Sequence, residues 1–155
     1  MTKIEIMEDK SIEIINLAYQ TSSQILTTLD NFITDIKNEK LQQLCADFVA
    51  RYDLISDECK MLVKAKGETL DKENFFDKYQ NLISLKISNL TKKTTFQIAE
   101  IIYVTLFETN PKLYSFLLFD DKDEISLIKK ILSLNEEFAN NLKPFFVCEW
   151  LNLTT

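Results

Sequence analysis

Few residues in this chain can do chemistry, and most stand apart. The 155 residues include no His. That excludes imidazole metal ligands, Ser-His and Cys-His dyads, and the usual acid–base group near neutral pH. A single Gly cannot build a glycine-rich phosphate loop. Cys45, Cys59 and Cys148 are odd in number and lack C-x-x-C spacing, so they read as reduced thiols. Cys45 and Cys59 share one helical seam roughly 21 Å apart, too far for a disulfide or a shared metal. Cys148 has no cation beside it in sequence to lower its pKa. Asp120, Asp121, Asp123 and Glu124 form the dense acidic cluster. It lacks the length and glycine of a calcium loop, and reads as a turn leading into an acidic first helical turn. Arg51, the only Arg, follows Asp47 by four residues, which suits a surface pair on one helix face rather than an anion site. Asn89 and Asn152 match glycosylation acceptors by chance, since no apolar signal core precedes them.

Composition narrows the function classes further. Net charge is −6, with seventeen Lys beside the single Arg. Both facts oppose nucleic-acid binding, because phosphate backbones repel the sum and Arg is the preferred base and phosphate reader. No apolar run approaches the roughly 20 residues of a membrane span. With no signal core, the expected location is cytoplasmic. The length suits one domain, 1–155. One Gly and two Pro with 46% hydrophobic residues cannot supply the turns of an all-β fold.

The elements that must position these residues are helices. From Ser11, a reasonable N-cap, to Lys37, small or apolar residues recur at Ile15, Ala18, Ser22, Ile25, Leu29, Phe32 and Ile36. This alternation of three and four is the seam of a helix packed lengthwise on others. Asn38 marks the stop. A second helix begins at Glu39 or Lys40, with seam residues Leu41, Cys45, Phe48, Tyr52, Ile55, Cys59 and Leu62, and ends at Gly67. So short a break implies an antiparallel hairpin. Lys72 to Leu90 reads as a shorter crossover helix. Thr94-Thr-Phe-Gln97 has capping-box spacing, so another helix begins near Thr95. Ile98 to Phe107 is apolar almost all round, which predicts a central helix or one covered on two sides. Pro111 should kink or break it near Glu108 to Asn110. The last helix, from about Asp123 to Lys143, has the seam Ile128, Ile131, Asn135, Phe138 and Leu142, and Pro144 should end or bend it.

This order resembles ferritin-like four-helix bundles. A closer resemblance is to an uncharacterised ferritin-like family of small, acidic Firmicutes proteins. It spans roughly Ile12 to Phe146 and is best at Lys86-Ile-Ser-Asn-Leu-Thr-Lys-Lys-Thr-Thr-Phe-Gln-Ile-Ala-Glu100. Ile14-Ile-Asn-Leu-Ala-Tyr19, Tyr52 to Glu58 and Asn135-Glu-Glu-Phe-Ala-Asn-Asn-Leu142 look similar too. The resemblance implies an all-α, ferritin-like up-down helical bundle with an extra crossover helix. It also raises a di-iron site, which takes one Glu from each of two helices and Glu-x-x-His from each of the others. The nearest remnants are Glu100-Ile-Ile-Tyr103 and Glu137-Phe-Ala-Asn140. Without His the set is incomplete, and the seams hold no acid. No metal or other cofactor is expected, with Glu100 and Glu137 as the residual metal candidates.

The remaining signal is an aromatic surplus of eleven Phe, five Tyr and one Trp. Phe107, Tyr114, Phe116 and Phe119 cluster, and the tail from Phe145 to Leu153 is apolar enough to dock. Interface residues are therefore expected at Leu113, Tyr114, Phe116, Leu117, Phe119, Phe145, Phe146 and Trp150. The expected function is non-catalytic, through a homodimer or a protein partner. The alternatives are a divergent metal-carboxylate protein of oxidoreductase or iron-handling type, and a binder of apolar small molecules.

Overall fold

The computed structural model describes residues 3–68, 94–118 and 122–154, with side chains described for 11–68, 94–118 and 124–146. These residues form four helices and no strand: α1 (Lys3–Phe32), α2 (Glu39–Ala65), α3 (Thr95–Phe116) and α4 (Lys122–Thr154). The crossover helix expected at Lys72 to Leu90 lies outside the described residues.

Local chemistry sets the ends. The Asn38 side chain accepts from the Leu41 N–H at 3.0 Å and starts α2. Gly67, at φ 72°, takes the left-handed turn just past the end of α2, where a Cβ would be strained. At α3, Thr94 Oγ1 accepts from the Gln97 N–H at 3.2 Å and Gln97 Oε1 accepts from the Thr94 N–H at 3.3 Å, closing a capping box. α1 begins at Lys3, eight residues before the expected cap. Ser11 is thus interior to α1, and its hydroxyl bonds the Glu124 carboxylate of α4 instead of capping.

Cross-helix pairs fix the directions. Arg51 meets Glu137, Tyr52 meets Asn135, and Glu58 meets Lys130, so α2 and α4 run antiparallel. Asn110 meets Asn135 and Phe96 meets Phe146, so α3 and α4 are antiparallel as well. α1 packs on α2, on α3 and on α4, while no comparable packing joins α2 to α3 among the described residues. The cross-section is a rhombus, with α1 and α4 on the short diagonal. The order is up, down, down, up. Each side-by-side pair is antiparallel, which sets opposite helix dipoles next to each other. The connection 66–94 therefore starts and ends at opposite ends of the bundle.

The expected seams form the core. Ile15, Ala18, Ser22, Ile25, Leu29, Phe32 and Ile36 are all buried, as are Ile128, Ile131, Asn135, Phe138 and Leu142. On α2 the last seam position is Val63, with Leu62 half-buried beside it. A straight helix drifts about 20° per heptad from a strict seven-residue repeat, and the core face has moved on by one residue there.

Neither proline breaks or ends its helix. α3 continues through Pro111 and α4 through Pro144. Each lacks the N–H that would bond the carbonyl four residues back. Pro111 and Pro144 both stand on exposed faces, where water can serve those carbonyls. Buried Leu106, Thr109 and Leu113 hold α3 on both sides of Pro111, and Leu142 with half-buried Phe145 and Phe146 brackets Pro144. Tertiary packing outweighs one lost hydrogen bond.

Phe138 is fully buried and stacks on Phe48 at 4.3 Å between ring centroids and 8° between planes. Phe138→Ala should cost about 3–5 kcal/mol through lost burial and a cavity. Urea unfolding followed by circular dichroism checks this, with the loss appearing in the midpoint.

Candidate functional site

Polar side chains cross the core at one level. The Tyr52 hydroxyl donates to Asn135 Oδ1 at 2.6 Å. Asn135 Nδ2 donates to Asn110 Oδ1 at 2.9 Å and to Thr109 Oγ1 at 3.2 Å. The Thr109 hydroxyl donates in turn to the Leu106 carbonyl at 2.8 Å. Burial pushes the Tyr52 phenol far above its ordinary value, so it stays a donor. Three helices are tied together, and no buried side-chain polar atom among the described residues lacks a partner. Chemically this is a closed structural network.

Arg51 lies at the same level on the surface. Its guanidinium forms a two-pronged bridge to Glu137 at 2.9 and 2.6 Å and lies 4.8 Å from the centre of the Phe48 ring. The expected pair with Asp47 on its own helix is thus replaced by a bridge from α2 to α4, because the flat fork of Arg51 fits a facing carboxylate better. The hydrogen bond to Arg51 holds the Glu137 carboxyl below its ordinary value. With both side chains nearly half exposed, the bridge does more for register than for stability.

The residual metal candidates do not converge. Glu137 is committed to Arg51, while Glu100 stands exposed on α3, nearer the Phe146 end. Among the described residues no three His, Cys, Asp or Glu side chains gather as a metal set. Asp30 and Asp53 line a cavity of about 240 Å³ between α1 and α2, and Asp30 is raised by burial and by Asp53. Lys60 shares that cavity and opposes a cation there. Of the acidic cluster, Asp120 and Asp121 and the Asp123 side chain lie outside the described residues. Glu124 is buried, 3.5 Å from Lys66. Burial opposes its charge, but the Ser11 hydroxyl, its own backbone and Lys66 outweigh that and lower its pKa.

The interface candidates divide. Leu113 is fully buried and belongs to the core, a correction to its expected role. It is the last step of the α3 seam Ile102, Leu106, Thr109 and Leu113, so its side chain has no surface to offer. Phe116, Leu117, Phe145 and Phe146 are half-buried against the core. Phe119 and the Trp150 side chain lie outside the described residues. Tyr114 is 57% exposed.

Exposure reveals a second α3 stripe. Val104, Phe107, Pro111, Tyr114 and Leu118 are all exposed, at successive spacings of three, four, three and four. Val104, Pro111 and Leu118 are not among the interface residues expected from sequence. The signal was there: α3 carries two apolar seams out of phase, and only one can face its own bundle. α3 is thus covered on two sides, by α1 and α4, and leaves this stripe exposed on its outer face. Phe107 stacks obliquely on Tyr103 at 4.7 Å, and Tyr103 meets the edge of Phe146 at 5.1 Å. Behind the stripe, a cavity of about 160 Å³ reaches in to Asn110 and Asn135.

No protein-family model, no curated protein and no solved structure matches the chain.

Two outcomes test the core. Tyr52→Phe leaves Asn135 Oδ1 buried without its donor and should cost about 1–3 kcal/mol in urea unfolding. Cys45 and Cys59 are fully buried, and burial pushes both thiols up from 9.0 to about 12. The neutral form is favoured in the folded state, so the stability it contributes is whole below pH 9 and is lost as pH rises toward 12. At pH 8.5, iodoacetamide should label these two thiols only after unfolding, as read by mass spectrometry.

Proposed function

We propose that the chain is a non-catalytic, ferritin-like helical bundle that acts by self-association through the outer face of α3. The ferritin-like reading draws support from the up-down-down-up order with one long crossover, the connectivity of that class of bundle. Two facts favour a non-catalytic role. The centre of the bundle is filled by Tyr52, Asn135, Thr109 and Asn110, which satisfy one another. The acids nearest to a metal motif, Glu100 and Glu137, are exposed, and the chain has no His.

The observation that carries self-association is the second seam on α3. Alternating spacings of three and four are the pattern of a helix packed along another helix. A two-fold axis across this seam would set two copies of it face to face, each contributing the same patch. Phe107 and Tyr114, one turn either side of Pro111, would supply the aromatic anchors that dominate such contacts. The flank is polar enough to seal the rim, with Glu108 and Lys112 both exposed.

Light scattering coupled to size exclusion should find a dimer that dissociates on dilution. Replacing Phe107 and Tyr114 together by Glu should weaken it by more than about a hundredfold, taking roughly 2 kcal/mol for each aromatic anchor. Helix content should be unchanged, since both side chains are half exposed or more. A wild-type chain that stays monomeric at millimolar concentration overturns the proposal.

A further inference from the structure

On another face of the bundle, an open groove of about 780 Å³ runs between α2 and α4. That volume lies within the roughly 300–1,000 Å³ of small-molecule sites. Leu54, Ile55 and Leu134 supply its apolar surface. Ile55 and Leu134 form the floor at 4% and 8% exposure, while Leu54 stands 69% exposed on the wall.

The charges around the groove are unequal in their commitments. Arg51 is neutralised by Glu137, and Lys130 by Glu58 at 3.0 Å. Lys129, on the rim, makes no ion pair or hydrogen bond among the described residues. The groove thus presents one uncommitted ammonium above an apolar floor, in a chain whose net charge is −6. An uncommitted cation above an apolar floor fits a ligand with an apolar body and a negative end.

Geometry decides the size of that ligand. The Arg51–Glu137 and Glu58–Lys130 bridges each cross from α2 to α4, seven residues apart on each helix, so roughly 10 Å apart along the axis. A partner helix laid lengthwise would have to break both. A single hydrocarbon chain can lie between them on Leu54, Ile55 and Leu134 and bring its head group to Lys129, one residue from the second bridge. Ser133 also lines the groove and carries a hydroxyl for such a head group.

We infer that the α2–α4 groove is a binding site for a single-chain anionic amphiphile, a fatty carboxylate in chemical class, with Leu54, Ile55 and Leu134 holding the chain and Lys129 the carboxylate. The site is separate from the α3 stripe, so it stands or falls independently of self-association.

Titration calorimetry with decanoate, below its micelle concentration, tests this on the full chain. Saturable one-to-one binding is expected. Lys129→Glu should weaken it at least tenfold, and Leu54→Glu should abolish it. Lys129→Arg should restore it. Decanol should bind the wild type at least tenfold more weakly than decanoate and should be indifferent to Lys129→Glu. Lys129 and Leu54 are exposed, so neither variant threatens folding; circular dichroism confirms that. No heat with decanoate overturns the site. Equal binding of decanoate to wild type and Lys129→Glu overturns the anionic assignment. If light scattering finds the α3 double variant monomeric but decanoate still binds, only the interface has been removed.

Discussion

The contact on which the rest of this bundle depends is the hydrogen bond from the Tyr52 hydroxyl to Asn135. Apolar seams attract one another without direction, and two of them can slide by a turn at modest cost. A buried amide and phenol cannot slide. Each loses its partner if α2 moves against α4, and an orphaned polar group in the core costs more than the hydrogen bond itself contributes. Asn135 also reaches Thr109 and Asn110, so one side chain sets the register of α4 against both α2 and α3. A single polar position in an otherwise apolar seam is the best attested means of fixing helix register.

Everything at that level follows from it. With Tyr52 opposite Asn135, Phe138 falls on Phe48, and the two rings stack. Arg51, next to Tyr52, then finds Glu137 two residues along α4. The outer face of Phe48 is left for the guanidinium. The same register carries on to Glu58 with Lys130, and to Lys66 with Glu124 at the far end. The surface bridges are therefore consequences of the core. They contribute little alone, being exposed, yet they bound the groove between α2 and α4 and decide which of its cations stays free.

What could be read without coordinates follows the same division. Seams such as Ile15 to Ile36 and Ile128 to Leu142 were legible because burial depends on position modulo a helical turn, a local property. Caps at Asn38 and Thr94 and the stop at Gly67 were legible for the same reason. Arg51 with Glu137 was not, since it needs the register of two helices 86 residues apart in sequence. That the helices run on through Pro111 and Pro144 was not legible, because the local cost of a proline says nothing of the packing on either side of it. Leu113 was assigned outward for a related reason. A run apolar on every side hides which of its two phases faces in.

That two-phase run also explains why α3 differs from its neighbours. α1, α2 and α4 each spend one polar face on water. α3 has an apolar residue at nearly every position from Ile98 to Phe107, and its contacts with α1 and α4 absorb one phase only. The second phase, Val104 to Leu118, keeps its three-four spacing while none of its residues is buried among the described helices. Exposed apolar residues scattered singly need no explanation, whereas five in helical register along 15 residues form a continuous strip. Burying the remaining exposed half of Phe107 and Tyr114 would recover roughly 1 kcal/mol each. Contiguous exposed apolar surface of this kind marks interaction sites. The strip follows the length of α3, a shape that another helix can cover, and a second α3 would bring the same three-four spacing to the contact we propose.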